Sequence, residues 1–280
     1  VAALVRAAGL RAPEVLAADE VNGFLLLTDL GRQTYLPALQ TALARTDMAG
    51  ADALMRSALD ALRRFQAGVP ADALPPFDET LLRQELELFP VWCVAREHGI
   101  AWNDAQRQAW DGVCAHLVRH ALGQAQVAVH ADWMPRNLMV CPDPPAGGPG
   151  ILDFQDAVRG PVAYDLASLL RDAFISWDEA QEIDWAVRWW DAARLDGLPV
   201  PADFGTFWRD LEWTGLQRHL KVLGIFCRLK HRDGKPAYAQ DLPRFFAYAT
   251  KVAMRYRELA PLLPLLAPMS GAAVAAGFTF

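Results

Sequence analysis

A chain of 280 residues, 53% hydrophobic and 21% charged, carries enough apolar material to bury a sizeable core, as one large domain or as two lobes. Its formal net charge of −6 argues against broad nucleic-acid binding, which needs a basic face. No apolar run reaches bilayer length, and the nearest, Leu259 to Pro268, is interrupted by Pro261, Pro264 and Pro268.

Val1 to Ala8 reads as the end of a helix stopped at Gly9. It has no cap, so the expected N-terminus lies upstream of Val1. Ala12-Pro13 opens an extended stretch around Val15 and Leu16. A turn at Val21-Asn22-Gly23 then leads into the apolar strand Phe24 to Leu27, predicting an antiparallel pair. From Gly31 the pattern turns helical. Asp52 to Phe65 places Leu54, Ala58, Leu59, Leu62 and Phe65 at helical spacing, and Thr80 to Glu97 does the same with Pro90 as a kink. Asp104 to Leu122 is a third long helix, and Val127 to Val129 a short β-branched strand.

Leu138 to Val140, the turn-rich CPDPPAGGPG and Ile151 to Phe154 read as a hairpin with a Pro/Gly loop. Beyond Pro161 the chain is predicted helical through Arg255, with breaks near Gly197 to Pro201, at Asp233-Gly234 and at Pro243. The small-residue tail from Ser270 is expected to be loosely docked or mobile. Ten tryptophans point to thick helical packing or an aromatic pocket, with core the favoured reading. Cys93, Cys114, Cys141 and Cys227 have no metal-ligand spacing and read as separate thiols. No leader marks export, so a cytoplasmic location is expected.

The chemistry is concentrated in His130-Ala131-Asp132-Trp133-Met134-Pro135-Arg136-Asn137, followed by Ile151-Leu152-Asp153-Phe154. Phosphoryl transfer asks mostly for positioning and charge stabilisation. One carboxylate must orient the attacking hydroxyl, while a second carboxylate and a neutral oxygen hold Mg²⁺, which prefers oxygen ligands. Asp132 with Asn137 and Asp153 supplies that set. The plain alternative makes Asp132 a helix cap and Asn137 a turn residue.

His-x-Asp-x-x-x-x-Asn, then a strand pair and apolar-apolar-Asp-aromatic, resembles the catalytic and metal loops of aminoglycoside phosphotransferases, choline kinases and their relatives. The resemblance implies an α+β, protein-kinase-like two-lobe fold using ATP and Mg²⁺. Residues 1–30 would be the remnant of a partly present N-lobe with its hinge, and 31–280 a mostly helical C-lobe with a small catalytic hairpin. It makes Asp132 the catalytic base and Asn137 and Asp153 the magnesium ligands, with His130 and Asp165 supporting the loop. Leu25 to Gly31 is similar to the family's adenine hinge, with Thr28, Asp29 and Leu30 as the nucleotide-facing residues. Trp133, Arg136, Arg171, Glu212 and His219 are expected acceptor contacts; Arg136 could equally be a surface anchor.

No G-x-x-x-x-G-K-[ST] run occurs, which excludes the P-loop class. The only lysines are Lys221, Lys230, Lys235 and Lys251, so the early-strand lysine of a kinase lobe has no candidate. Either that strand lies before Val1 or the chain is a crippled, kinase-like binding module. Phe154 to Pro161, Leu169 to Asp172, Gly224 to Leu229 and Arg232 to Lys235 resemble the bacterial anomeric amino-sugar kinases, which phosphorylate N-acetylmuramate and N-acetylglucosamine in cell-wall recycling. That implies a small-molecule sugar acceptor. Aminoglycoside, choline and homoserine remain alternatives. The basic stretch Phe204 to Lys235 would border the acceptor cleft and suit an anionic sugar, or form a solvated helix face.

Overall fold

The computed structural model describes residues 1–141 and 148–270. The centre of the predicted Pro/Gly loop and the tail after Ser270 lie outside them. In chain order the helices are α1 (Ala2–Ala7), α2 (Tyr35–Ala44), α3 (Met48–Gly68), α4 (Glu79–Leu88), α5 (Asp104–Gly123), α6 (Tyr164–Leu170), α7 (Glu179–Leu195), α8 (Phe204–His231), α9 (Leu242–Arg255) and α10 (Leu263–Leu266). The strands are β1 (Val15–Asp19), β2 (Phe24–Leu27), β3 (Gln126–Val129), β4 (Leu138–Met139), β5 (Gly150–Ile151) and β6 (Val158–Pro161). Two units divide the chain: Val1–Pro76 with Ala125–Trp208, and Phe77–Gln124 with Arg209–Phe280. Among the described residues no helix is long and apolar enough to cross a membrane.

In the first unit, α1 stops at Gly9, whose φ of 71° is the left-handed conformation a helix end favours. β1 and β2 pair antiparallel, with Asp19 opposite Phe24. Their turn is tied by the Asp19 carboxylate, which accepts from the Asn22 amide (3.1 Å) and side chain (2.8 Å). Asp47 caps α3 by accepting from the Gly50 amide at 2.9 Å. Of the predicted stripe on α3, Ala58, Leu59, Leu62 and Phe65 are buried and Leu54 is half-buried, while Ala51 and Met55 join the buried face toward α2, α7 and β3. Full burial of a side chain such as Phe65 stabilises by about 1.5–3 kcal/mol. On α7 the buried residues Glu182, Trp185, Ala186, Trp189 and Ala193 repeat at helical spacing.

One strand was not predicted and two predicted elements differ from the structure. Val158–Pro161 is a strand, β6, antiparallel to β3 with Val129 opposite Val158 and Gln126 opposite Pro161. Gly160 and Pro161 look like breakers in sequence, yet Pro161 closes the strand, where its missing N–H is tolerated. The ladder of β5 ends at Ile151 instead of running to Phe154, because Asp153 turns into a left-handed φ of 62°. The segment between α6 and α7 is not helical: Arg171 leaves helical geometry at φ −119°, ψ 59°.

In the second unit, Asp78 caps α4 by accepting from Leu81 N at 2.9 Å, and Asn103 with Gln106 forms a capping box on α5. Pro90 cannot donate to the ladder, and the predicted kink is a π-helical stretch, Phe89–Glu97. On α8, a Cβ added at Gly224 would lie 2.4 Å from the Leu88 carbonyl carbon, so only glycine allows that approach. Trp110 packs on Phe89 and Trp102 here, as Trp185 packs on Trp177 in the first unit; Trp110 and Trp185 are core, while Trp102 and Trp177 are half-buried at its edge. All four thiols are free, and the buried Cys93 lies against Cys227, which with burial raises its pKa.

Candidate active site

The site lies in the first unit and starts from β3. Val127, Ala128 and Val129 are buried, so the strand delivers His130 into the interior, where it is 0% exposed. Asp165, on the first turn of α6, takes two backbone donors with its carboxylate: His130 N at 2.7 Å and Ala131 N at 3.1 Å. That grip holds Ala131 in a left-handed conformation, φ 75°, which an alanine does not adopt freely.

The His130 ring is fixed from both sides. Nε2 lies 2.9 Å from the Leu152 carbonyl and Nδ1 accepts from the Asp132 amide at 3.3 Å. A carbonyl can only accept and an amide N–H only donate, so the ring is the neutral tautomer with its proton on Nε2. Burial agrees, lowering its pKa to about 4 despite the opposing charge of Asp132. His130 therefore ties the Asp132 turn to the segment bearing Asp153.

Asn137 is the second tie. It closes the 3₁₀ turn Pro135–Asn137 with its amide bonded to Met134 O at 2.9 Å, and its carbonyl accepts from Leu152 N at 2.9 Å. Its side-chain nitrogen donates to Asp132 O (3.0 Å) and Asp153 Oδ2 (3.3 Å). The other Asp153 oxygen accepts from Gln155 Nε2 at 2.8 Å. Asn137 thus joins the Asp132 backbone to the Asp153 carboxylate. The amide oxygen of Asn137 and the carboxylate of Asp153 are hard oxygen donors, a set that fits Mg²⁺ completed by phosphate oxygens and water. No group of three or more His, Cys, Asp or Glu that could cage a metal occurs among the described residues, which leaves this partial set rather than a full protein cage.

Trp133 is buried against Phe65 and His130, at ring separations of 5.6 and 5.5 Å, and floors the loop. Arg136 is exposed, its guanidinium 5.2 Å from the centre of the Phe174 ring. Arg171 is buried, bonded to Glu182 at 3.1 Å and laid over Trp208. Glu212 and His219 belong to the second unit. There Glu212 accepts from Arg255 (2.6 Å) and Tyr256 (2.7 Å), and His219 stacks on Tyr248. In the same unit Lys221 is paired with Glu85, Lys230 and His231 with Glu97, and Arg232 with Asp233. Much of the charge in the predicted basic stretch is therefore already neutralised.

The residues on either side of the expected hinge, Arg11 and Gln33, are bonded to the chain around the small hairpin of β4 and β5. Val140 N donates to Gln33 O and Ile151 N to Arg11 O, both at 2.8 Å. A Cβ at Gly150 would sit 2.9 Å from Leu30 Cδ1, so glycine lets the segment close down. Thr28 uses its amide and hydroxyl on Glu14, and Asp29 accepts from Gly31 N. The Thr28 carbonyl and Leu30 amide have no hydrogen-bond partner among the described residues. Gln155 and Phe174 escaped the sequence reading, because nothing in their spacing marks them.

Residues 1–207 match the profile of the phosphotransferase enzyme family (APH). The chain is 48% identical over 271 residues to a protein of Pseudomonas putida named N-acetylmuramate/N-acetylglucosamine kinase, covering 96% of the chain and 76% of the relative. A protein of Pseudomonas aeruginosa with that name is 48% identical over 269 residues, with the same two coverages. Among solved structures, a choline/ethanolamine kinase family protein from Mesorhizobium loti aligns with TM-score 0.57 and 16% identity, covering 95% of this chain and 81% of its own. A GDP complex of an aminoglycoside 2'-phosphotransferase-IIIa mutant aligns with TM-score 0.55 and 16% identity, over 88% and 78%. These two likenesses establish the fold: protein-kinase-like, α+β and mostly helical.

Proposed function

The chain belongs to the phosphotransferase enzyme family, and from that premise we propose that it moves the terminal phosphate of ATP onto the anomeric hydroxyl of N-acetylmuramate or N-acetylglucosamine. One observation carries the reading: a single amide, Asn137 Nδ2, bonds both the Asp132 backbone and the Asp153 carboxylate. That contact ties the Asp132 turn to Asp153, which supports reading Asp132 as the base and Asn137 and Asp153 as the oxygen ligands. The names of the two Pseudomonas relatives support the sugar acceptor.

In this mechanism the Asp132 carboxylate orients the sugar hydroxyl and takes its proton as the oxygen attacks phosphorus in line, with no phosphoenzyme. Asn137 and Asp153 would hold Mg²⁺, which when bound neutralises charge on the transferring phosphate. The neutral His130 and the buried Asp165 keep the Asp132 turn in place and exchange no proton with substrate. The open Thr28 carbonyl and Leu30 amide would meet the adenine edge, with Asp29 between them. Residues 1–30 are then the nucleotide-lobe end and hinge, and 31–280 the lobe with the catalytic and metal-binding loops, and the four free thiols suit a reducing cytoplasm.

An ADP-release assay over N-acetylmuramate, N-acetylglucosamine, an aminoglycoside, choline and homoserine tests the reading. Turnover with either amino sugar and a phosphate on the anomeric oxygen is the expected result. Turnover with another alcohol alone would remove the sugar assignment. No ADP release with any acceptor, alongside a Mg-ATP thermal shift, would make the chain a binding module.

A further inference from the structure

We propose that Arg136 is the anion-reading residue of the acceptor site, recognising a carboxylate on the sugar and so favouring N-acetylmuramate, which carries one, over N-acetylglucosamine, which does not. The inference rests on the amino-sugar reading above and deepens it.

Arg136 lies four residues after Asp132 and directly before Asn137, on a turn held by the Asn137 amide and side chain. Its guanidinium is exposed and has no carboxylate within 4.0 Å among the described residues. Several other cations of the same unit are paired with carboxylates: Arg171 with Glu182, Arg159 with Asp72, Arg188 with Asp184. Arg136 instead lies over the Phe174 ring, and Phe174 is itself set by its amide donating to Asp172 Oδ1 at 2.8 Å. An aromatic ring accepts none of a guanidinium's directional hydrogen bonds, so the N–H donors of Arg136 have no acceptor among the described residues. A planar cation so held loses little further freedom when a planar carboxylate takes two parallel hydrogen bonds from it.

The direction of Arg136 argues for acceptor rather than nucleotide. In a 3₁₀ turn successive side chains are about 120° apart. Asn137 points at Asp132 and Asp153, the phosphate side, so its neighbour Arg136 points elsewhere. The late basic stretch, the other candidate for an acidic sugar, has Lys221, Lys230 and His231 already occupied by Glu85 and Glu97.

The test is the ratio of kcat/KM for N-acetylmuramate to that for N-acetylglucosamine, in the unaltered chain, R136Q, R136K and F174L. ATP is common to both reactions, so an effect exerted through the nucleotide cancels in the ratio. R136Q is expected to lower the ratio roughly 10- to 100-fold, the range for losing a charge-assisted hydrogen bond. R136K, which keeps the charge but not the fork, should recover part of it, and F174L should lower it by a smaller factor. A ratio in R136Q within about twofold of the unaltered chain, with the melting midpoint preserved, would overturn the inference while leaving the amino-sugar reading intact. If the unaltered chain phosphorylates neither sugar, both fall together.

Discussion

Two antiparallel strand pairs in the same unit have opposite fates. Every residue of β1 and β2 is exposed, including Leu16, Phe24, Leu25 and Leu26. In β3 and β6, by contrast, only Gln126 and Arg159 are even partly accessible. Both pairs are short and apolar, so hydrophobicity alone does not separate them. The difference is what covers them. α3 packs on β3, Gln66 donates to Val162 O beyond β6, and Arg159 N reaches Pro75 O. Buried apolar surface holds the second pair, and the His130–Asn137 loop proposed to be catalytic hangs from its end. The exposed pair leads instead to the expected hinge, where the Thr28 carbonyl and Leu30 amide have no hydrogen-bond partner among the described residues.

That contrast can be broken from the active-site end first. Asp132→Asn should cut kcat by about 10²–10⁴, the range for losing a general base, while leaving the Mg-ATP thermal shift in place. Near-normal turnover would remove Asp132 from the chemistry. Asp165→Ala should come next, because it strips the acceptor from two backbone donors on the His130–Ala131 turn. Urea unfolding should lose about 2–4 kcal/mol, the cost of orphaning such groups.

The buried histidine sharpens the comparison through pH. The unfolded chain protonates His130 near its ordinary value of 6.5, but the folded chain only near 4, because burial disfavours the charge. Stability from this group is therefore complete above about pH 6.5 and is lost as the pH falls toward about 4, by up to about 3 kcal/mol. Urea titrations of H130Q and the unaltered chain at about pH 7 and about pH 4.5 should show a shallower acid loss in the variant. Equal slopes would contradict a buried neutral ring. Smallest is the direct strand comparison. Val129→Ala in β3 should cost about 1–3 kcal/mol, whereas Phe24→Ser in β2 should stay within about 0.5 kcal/mol. Equal costs would mean that β1 and β2 are packed after all.

Local signals were strong where chemistry and geometry share a short segment. Asp132 and Asn137 are five residues apart on a turn closed by Pro135, so the tie between them through the Asn137 side chain is a local one, and the strand before Asp153 was read from its apolar run. Helix faces on α3 and α4 were equally legible, since a period near 3.6 is a property of neighbours in sequence. The β6 pairing was not, because its partner Gln126–Val129 lies some thirty residues upstream and its own ends look like breakers. Gln155 on Asp153 and Arg136 on Phe174 are likewise contacts that no spacing announces.

What the chain's order of residues determined unaided was the helical layout and the short hairpins, set by steric rules acting over a few residues. Only the tertiary structure decided which apolar strand pair is buried, and which cations stay free. It set Lys221 and Lys230 against Glu85 and Glu97, more than a hundred residues away in sequence, and left Arg136 without a carboxylate among the described residues. Burial and charge pairing depend on what packs across space, and a linear pattern carries no record of that distance.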